Sequence, residues 1–368
     1  MCVSPITIYC RNAGHFHSRS GSHTVPCGHC VECVKSKQLE WCVRMVEQIK
    51  DTPDALFVTL TYRPEMVPVC VDVDSGEVNL TVCKADVQRW VKRAKIGLSR
   101  RGRDFSRRPL HYFITSEYGM HPKRPNMYRP HYHAIFFNVT LDEFLPALQD
   151  WRARFGYVNY SVPRNRYASM RYCSKYCVKG DFENPLIAQR KVLPTFHLVS
   201  HGLGAGYIKR MRSWHLNPTS HQHLDSSISD RKVNLYYSKK YVEFVADNLY
   251  YRDIHLYDKF GDKAFKVKLP RYYKDRILGI MVFCYSSNPK TNKKVVSKSA
   301  LANQVANFLA RRRIELRDRA RDEFIRQGLA SSFGEADILL LESERISFQE
   351  RNKKAFEALT KFYSKSKF

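Results

Sequence analysis

Between residues 36 and 179 the apolar positions switch repeatedly from helical to strand spacing, and the switches set out an order of elements. Leu39, Cys42, Val43, Val46 and Ile49 recur at helical intervals, predicting a helix over Ser36–Lys50 that the Asp51-Thr-Pro-Asp54 break ends. Ala55–Tyr62 (ALFVTLTY) is β-branched and aromatic throughout and reads as a buried strand. Val87, Trp90, Val91 and Ala94 mark a helix over Ala85–Leu98. His111–Glu117 is a second strand, ended by Tyr118-Gly119; Met120–Pro130 is a Pro- and Arg-rich turn, and His131–Asn138 a third strand. Leu141–Phe155 is a helix that tolerates Pro146, Gly156–Val162 a fourth strand, and Ala168–Lys179 a helix stopped by Gly180. Strand, helix, strand, strand, helix, strand, helix is the ferredoxin-like order. The expected fold class is therefore α+β: an antiparallel, ferredoxin/RRM-like sheet with helices on one face.

The flanks carry weaker patterns. Residues 1–34 are rich in Cys, His, Gly and Ser and read as loop, while residues 181–290 alternate short apolar runs with loops. Ser297–Gln327 predicts a long helix with Leu301, Val305, Phe308, Leu316 and Phe324 along one face and Gly328 as its stop. A further helix is expected to end the chain. These patterns divide the chain into a Cys-rich segment with its leading helix (1–50), a core (51–185), a mixed accessory region (186–290) and a helical C-terminal extension (291–368).

Charge changes the picture. Among 368 residues, 62 Lys and Arg face 35 Asp and Glu, a net charge of +27, and a surplus of that size seeks a polyanion. A hydrophobic fraction of 43% excludes a wholly disordered chain. No apolar run is long enough to span a bilayer, and Met1–Cys10 lacks a secretion signal, so nucleic acid is the expected partner and the cytoplasm the expected compartment. The 11 cysteines then read as thiols or metal ligands rather than as a disulfide framework.

Two constellations carry chemistry. His131 and His133 open a strand two residues apart, so both imidazoles project from one face. The same spacing recurs at His15/His17 and His221/His223, but in Ser-rich segments with no regular period. Glu117, ending the second strand, is a candidate third ligand, and a His₂-carboxylate set with open positions suits Mn²⁺ or Mg²⁺. In Tyr172-Cys-Ser-Lys175-Tyr176-Cys-Val-Lys179 the two phenols and two ammonium groups fall at i, i+3, i+4 and i+7, one stripe of a helix, with Met170, Cys173 and Cys177 on another face. A phenol becomes a useful nucleophile toward phosphorus when a cation polarises the phosphate and a neighbouring ammonium offsets the developing charge.

Phe57-Val-Thr-Leu-Thr-Tyr62, His131-Tyr-His133 and the doubled YxxK resemble, in order, the three motifs of the HUH endonuclease superfamily. The doubled tyrosine motif is similar to that of rolling-circle initiators of small bacteriophages. Pro26-Cys-Gly-His-Cys30, Ser116-Glu-Tyr-Gly119, Gly202-Leu-Gly204 and Leu269-Pro-Arg-Tyr272 resemble replication initiators of the microviruses, the gokushovirus branch in particular. The resemblance implies a metal-dependent nuclease that nicks single-stranded DNA at a phage origin, stays joined to the 5′ end through a tyrosine, and uses Tyr172 and Tyr176 in turn, with Lys175 and Lys179 assisting. It also carries Glu117 as metal ligand. Tyr132 stands where such motifs often have a hydrophobic residue.

Cys27, Cys30 and Cys33 have the spacing of a zinc knuckle, with Cys10 taken as the fourth ligand and Cys2, Cys42, His29 and His23 as alternatives; reduced structural thiols are the other reading. The basic helix at 297–327, with Arg311-Arg-Arg313, is a candidate holder of DNA or of a host helicase, against the plainer reading of a solvated helix on the core. A relaxase or transposase of the same superfamily shares every catalytic residue. A non-catalytic RRM-like binder accounts for the charge, Phe136/Phe137 and the cysteines, and leaves the Tyr/Lys stripe unexplained.

Overall fold

The computed structural model describes residues 6–9, 22–28, 31–52, 54–72, 75–119, 129–163, 168–175, 185–218, 232–233, 236–257, 264–279, 281–285, 294–297, 299–340 and 350. In chain order its first elements are β1 (Ile6–Tyr9), β2 (Ser22–Val25), α1 (Val31–Asp51) and β3 (Ala55–Tyr62). A small hairpin of β4 (Val69–Val71) and β5 (Val78–Leu80) precedes α2 (Lys84–Arg100). Then come β6 (His111–Gly119), β7 (Arg129–Phe137), α3 (Leu141–Arg154), β8 (Gly156–Ser161), α4 (residues 168–175), β9 (His197–Val199) and α5 (Gly206–Leu216). The chain forms two compact units: Met1–Lys37, Asn217–Asn248 and Leu278–Phe368 in one, Gln38–Leu216 and Leu249–Ile277 in the other.

The second unit is built on a five-stranded sheet in the order β8-β3-β7-β6-β9, with every pair antiparallel. The four strands expected from the sequence lie in the order fourth, first, third, second, which is the ferredoxin-like arrangement of an α+β fold. The fifth, β9, adds to the outer edge of β6; at three residues it is too short to show a period. One face of the sheet presents Leu56, Val58, Leu60, Tyr132, Ala134 and Phe136 to Trp90 of α2 and to Phe144 and Trp151 of α3. Each of these large side chains, once buried, stabilises the fold by about 2–3 kcal/mol. Two buried phenols pin that packing: Tyr132 Oη accepts from the Cys83 backbone N–H (2.8 Å) at the start of α2, and Tyr62 Oη donates to Asp86 (3.1 Å).

The opposite face is covered too. Ala55, Phe113, Ile135 and Phe137 pack against Cys42, Met45 and Ile49 of α1 and against Met170 and Cys173 of α4. The expectation of helices on one face therefore holds only for α2 and α3. The reason is legible in β7: after His133 it reads Ala-Ile-Phe-Phe with no polar alternation, and all four side chains are buried, the signature of a strand covered on both sides.

Two local devices set the strands that carry the site. α3 starts at a capping box, in which Thr140 accepts from the Glu143 N–H and Glu143 reaches back to the Thr140 N–H. Its C-terminal end delivers Gly156, whose φ of 153° and contact with the backbone of Thr61–Arg63 leave no room for a side chain. That close approach places β8 alongside β3 with Tyr157 opposite Thr61.

In the first unit, β1 pairs with β2, and a helix spans Ala300–Arg326. Leu301, Ala302 and Val305 bury its first two turns, whereas Leu316 is 53% exposed, so the expected apolar stripe packs only at its beginning. Beyond it the helix is held by ion pairs of Arg317 and Arg321 with Asp337, and Gly328, at φ 69°, ends it. A helical stretch at 333–340 follows. Among the described residues no helix is long and apolar enough to cross a membrane.

Candidate functional site

Antiparallel register assembles the site. On β7, His131 and His133 share one face; β3 sets Thr61 and Thr59 opposite them, and β6 sets Glu117 and Thr115 on their other side. With Tyr157 opposite Thr61 and Asn159 opposite Thr59, two rows of four cross the sheet: Tyr157, Thr61, His131, Glu117, and then Asn159, Thr59, His133, Thr115. A cavity of about 380 Å³ opens over this end of the sheet, lined by Thr59, Thr61, Glu117, Arg129, His131, His133, Tyr157 and Tyr172.

His133 is fixed at both nitrogens. Its Nε2 lies 2.9 Å from Glu117 Oε2 and its Nδ1 3.2 Å from Thr59 Oγ1, a set met when Nε2–H donates to the carboxylate and the hydroxyl donates to Nδ1. Both Glu117 and His133 are buried. The His131 ring packs on Gly119, where a Cβ would fall 2.5 Å from Cε1. Burial holds the His131 pKa below the ordinary imidazole value, with Glu117 opposing, so its ring nitrogens are available as neutral donors. Tyr132, between them, points into the opposite core, and burial raises its phenol above the ordinary range.

From the covering helix α4, Tyr172 reaches into the cavity. Its ring stands edge-on to His133 at 5.5 Å between centroids and to Phe57 at 5.8 Å, and it remains 44% exposed. Lys175, one turn on, is buried, at 8% exposure. Met170 and Cys173 anchor α4 from its inner side, as the stripe predicted. Tyr176, Lys179 and Cys177 lie outside the described residues, as do His15, His17, His221, Cys10 and Cys30.

Among the described residues no three His, Cys, Asp or Glu side chains converge on one ion position. As placed, Glu117 and His133 bond each other directly. Their chemistry still suits a divalent cation: two imidazoles and a carboxylate line one cavity, and Thr59 stands at His133 Nδ1 as the partner that orients a ligating imidazole. Reading the sequence alone missed Arg129, Tyr157, Thr59 and Thr61. The threonines were signalled by their alternation within an apolar strand. Tyr157 needed the knowledge that β8 is an edge strand beside β3. Phe136 and Phe137 are fully buried, one on each face, so they form no platform for stacked bases; the exposed aromatics at the cavity are Tyr157 and Tyr172.

The fold and site together define a class: a ferredoxin-like sheet that carries a His-x-His pair, a carboxylate and an exposed tyrosine at one end. Residues 55–181, which contain all of these, match the family described as Replication-associated protein ORF2. The chain is 31% identical over 168 residues to Replication-associated protein ORF2 of Spiroplasma virus 4, covering 42% of this chain and 48% of that protein. It is 30% identical over 128 residues to Replication-associated protein VP4 of Bdellovibrio phage phiMH2K, covering 33% and 34%. The chain thus matches less than half the length of each of these curated relatives. No solved structure matches it.

Proposed function

We propose that this protein initiates rolling-circle replication of a phage genome by nicking single-stranded DNA at an origin and joining itself to the 5′ end through a tyrosine, in the manner of an HUH endonuclease. One observation carries the reading: Tyr172 stands exposed against His133 in the cavity that also holds His131 and Glu117, all within the segment that matches replication-associated proteins of phages.

The residues divide the work. His131, His133 and Glu117 would hold a divalent cation, Mg²⁺ or Mn²⁺, which when bound supplies Lewis acidity toward the scissile phosphate. Thr59 orients His133, and Gly119 leaves room for His131. The phenol oxygen of Tyr172 attacks phosphorus as its proton leaves. The P–O3′ bond breaks, the 3′ oxygen takes up a proton, and the 5′ phosphate stays on the tyrosine. Lys175 lends positive charge to the attacking side, and Arg129 to the cavity wall. Because the phosphodiester becomes a phosphotyrosine ester of similar energy, a 3′-hydroxyl reverses the step without a nucleotide cofactor. Tyr176 and Lys179 repeat the motif one turn on and supply the second nucleophile for termination.

Incubation with origin-containing single strands and Mn²⁺ tests this. An adduct that survives SDS, with its DNA mapped to Tyr172 or Tyr176, is expected. DNA binding without an adduct would make the protein a non-catalytic binder, and an adduct on any other residue would break the assignment.

A further inference from the structure

The Cys27 and Cys33 sulfurs lie 3.9 Å apart. Two thiolates on one tetrahedral zinc ion, each with a bond of about 2.3 Å, stand about 3.8 Å from one another, whereas a disulfide holds its sulfurs at about 2.05 Å. Cys33 sits in the first turn of α1, where the exposed N–H groups of the helix favour a thiolate. Cys30 falls between them in the sequence, directly before the helix begins. We propose that this end of the chain holds a structural zinc ion through Cys27, Cys30 and Cys33, with Cys2 as the fourth thiolate.

The choice of Cys2 comes from the hairpin. Ile6 pairs with Val25 and Tyr9 with Ser22. Cys27 follows Val25 by two residues, so it leaves the hairpin at the end where β1 begins. The chain that precedes Ile6 departs from that same end. The chain that follows Tyr9, with Cys10 first, departs from the other end, about 10 Å away along three residues of strand. Cys42 is no candidate: it is packed in the sheet's core, where burial pushes its thiol up to about 12, the reverse of what a metal thiolate needs. Cys2 and Cys30 enter by spacing and register, since both lie outside the described residues.

The segment also needs what a metal supplies. Its strands are four residues each, an isolated two-stranded hairpin is marginal in water, and no described residue of Met1–Lys37 is buried. A zinc ion tying the hairpin to the start of α1 replaces the apolar core that this segment lacks.

The test is the metal content of the full-length protein purified without chelators. About one zinc per chain is expected, released in step with mercurial titration of its thiols, and replacement by Co²⁺ should give thiolate-to-cobalt charge-transfer absorption. Cys27→Ser, Cys33→Ser and Cys2→Ser should each lose most of the zinc, and Cys10→Ser should keep it. A zinc-free wild-type protein with unchanged circular dichroism, or a Cys27–Cys33 disulfide in the unreduced peptide map, would overturn the site. Zinc lost on Cys10→Ser but kept on Cys2→Ser would overturn the fourth ligand. Metal content is read without reference to nicking, so either result leaves the proposed nuclease activity to stand or fall separately.

Discussion

At Gly119 the imidazole of His131 lies where a side chain would begin, so a single added methyl group has to displace the ring or the strand end. Gly119→Ala is therefore expected to lower nicking by on the order of 100-fold, the effect of about 1 Å of misplacement at a reacting centre. The melting temperature should barely move, because the change falls on the last residue of β6. Gel assays of oligonucleotide cleavage beside thermal denaturation check both halves. The paired tyrosines make a sharper case. Tyr172→Phe and Tyr176→Phe should each retain cleavage of short oligonucleotides, unequally, while neither completes cleavage followed by strand transfer. The double variant should form no adduct. If all wild-type adduct maps to one tyrosine and the other is dispensable for strand transfer, the cycle uses a single nucleophile.

Elements differ in how plainly the sequence announces them. β3, α2 and α3 fall within a residue or two of where their apolar spacing puts them, because each buries one coherent set of side chains. α3 is bounded as well as patterned: the Thr140 capping box is reinforced by Arg108, which grips both Glu143 oxygens at 2.9 and 3.2 Å. Thr140→Ala should cost about 1 kcal/mol of stability in urea denaturation and leave nicking unchanged. The start of α1 and the strand β9 were not legible. α1 begins five residues ahead of its apolar stripe, in a polar turn where periodicity has nothing to count. β9 is three half-buried residues whose place depends on the edge of β6. The site shows the same division. Spacing within one strand gives His131 and His133, but their meeting with Tyr157 and Arg129 depends on register between strands far apart in the chain.

Across the whole molecule the charge of +27 predicts a separation of binding from chemistry. Phosphate contacts spread over a basic surface owe nothing to two imidazoles in a cavity. His131→Ala and His133→Ala should therefore abolish nicking and leave single-strand affinity and its slope against log salt unchanged. Fluorescence anisotropy at several salt concentrations reads both, and a fall in affinity parallel to the fall in nicking would place the histidines in DNA binding instead. The sheet carries a further consequence, for synthesis. Its second strand in space, β3, is the first of the five to leave the ribosome, and both of its neighbours, β7 and β8, are made later. β8 is complete roughly 100 residues after β3, a delay of about 5–20 seconds at ordinary translation rates. For that interval an eight-residue apolar strand waits with two unsatisfied edges. Nascent chains halted before residue 161 should accordingly recruit chaperones or aggregate, and those released beyond it should fold.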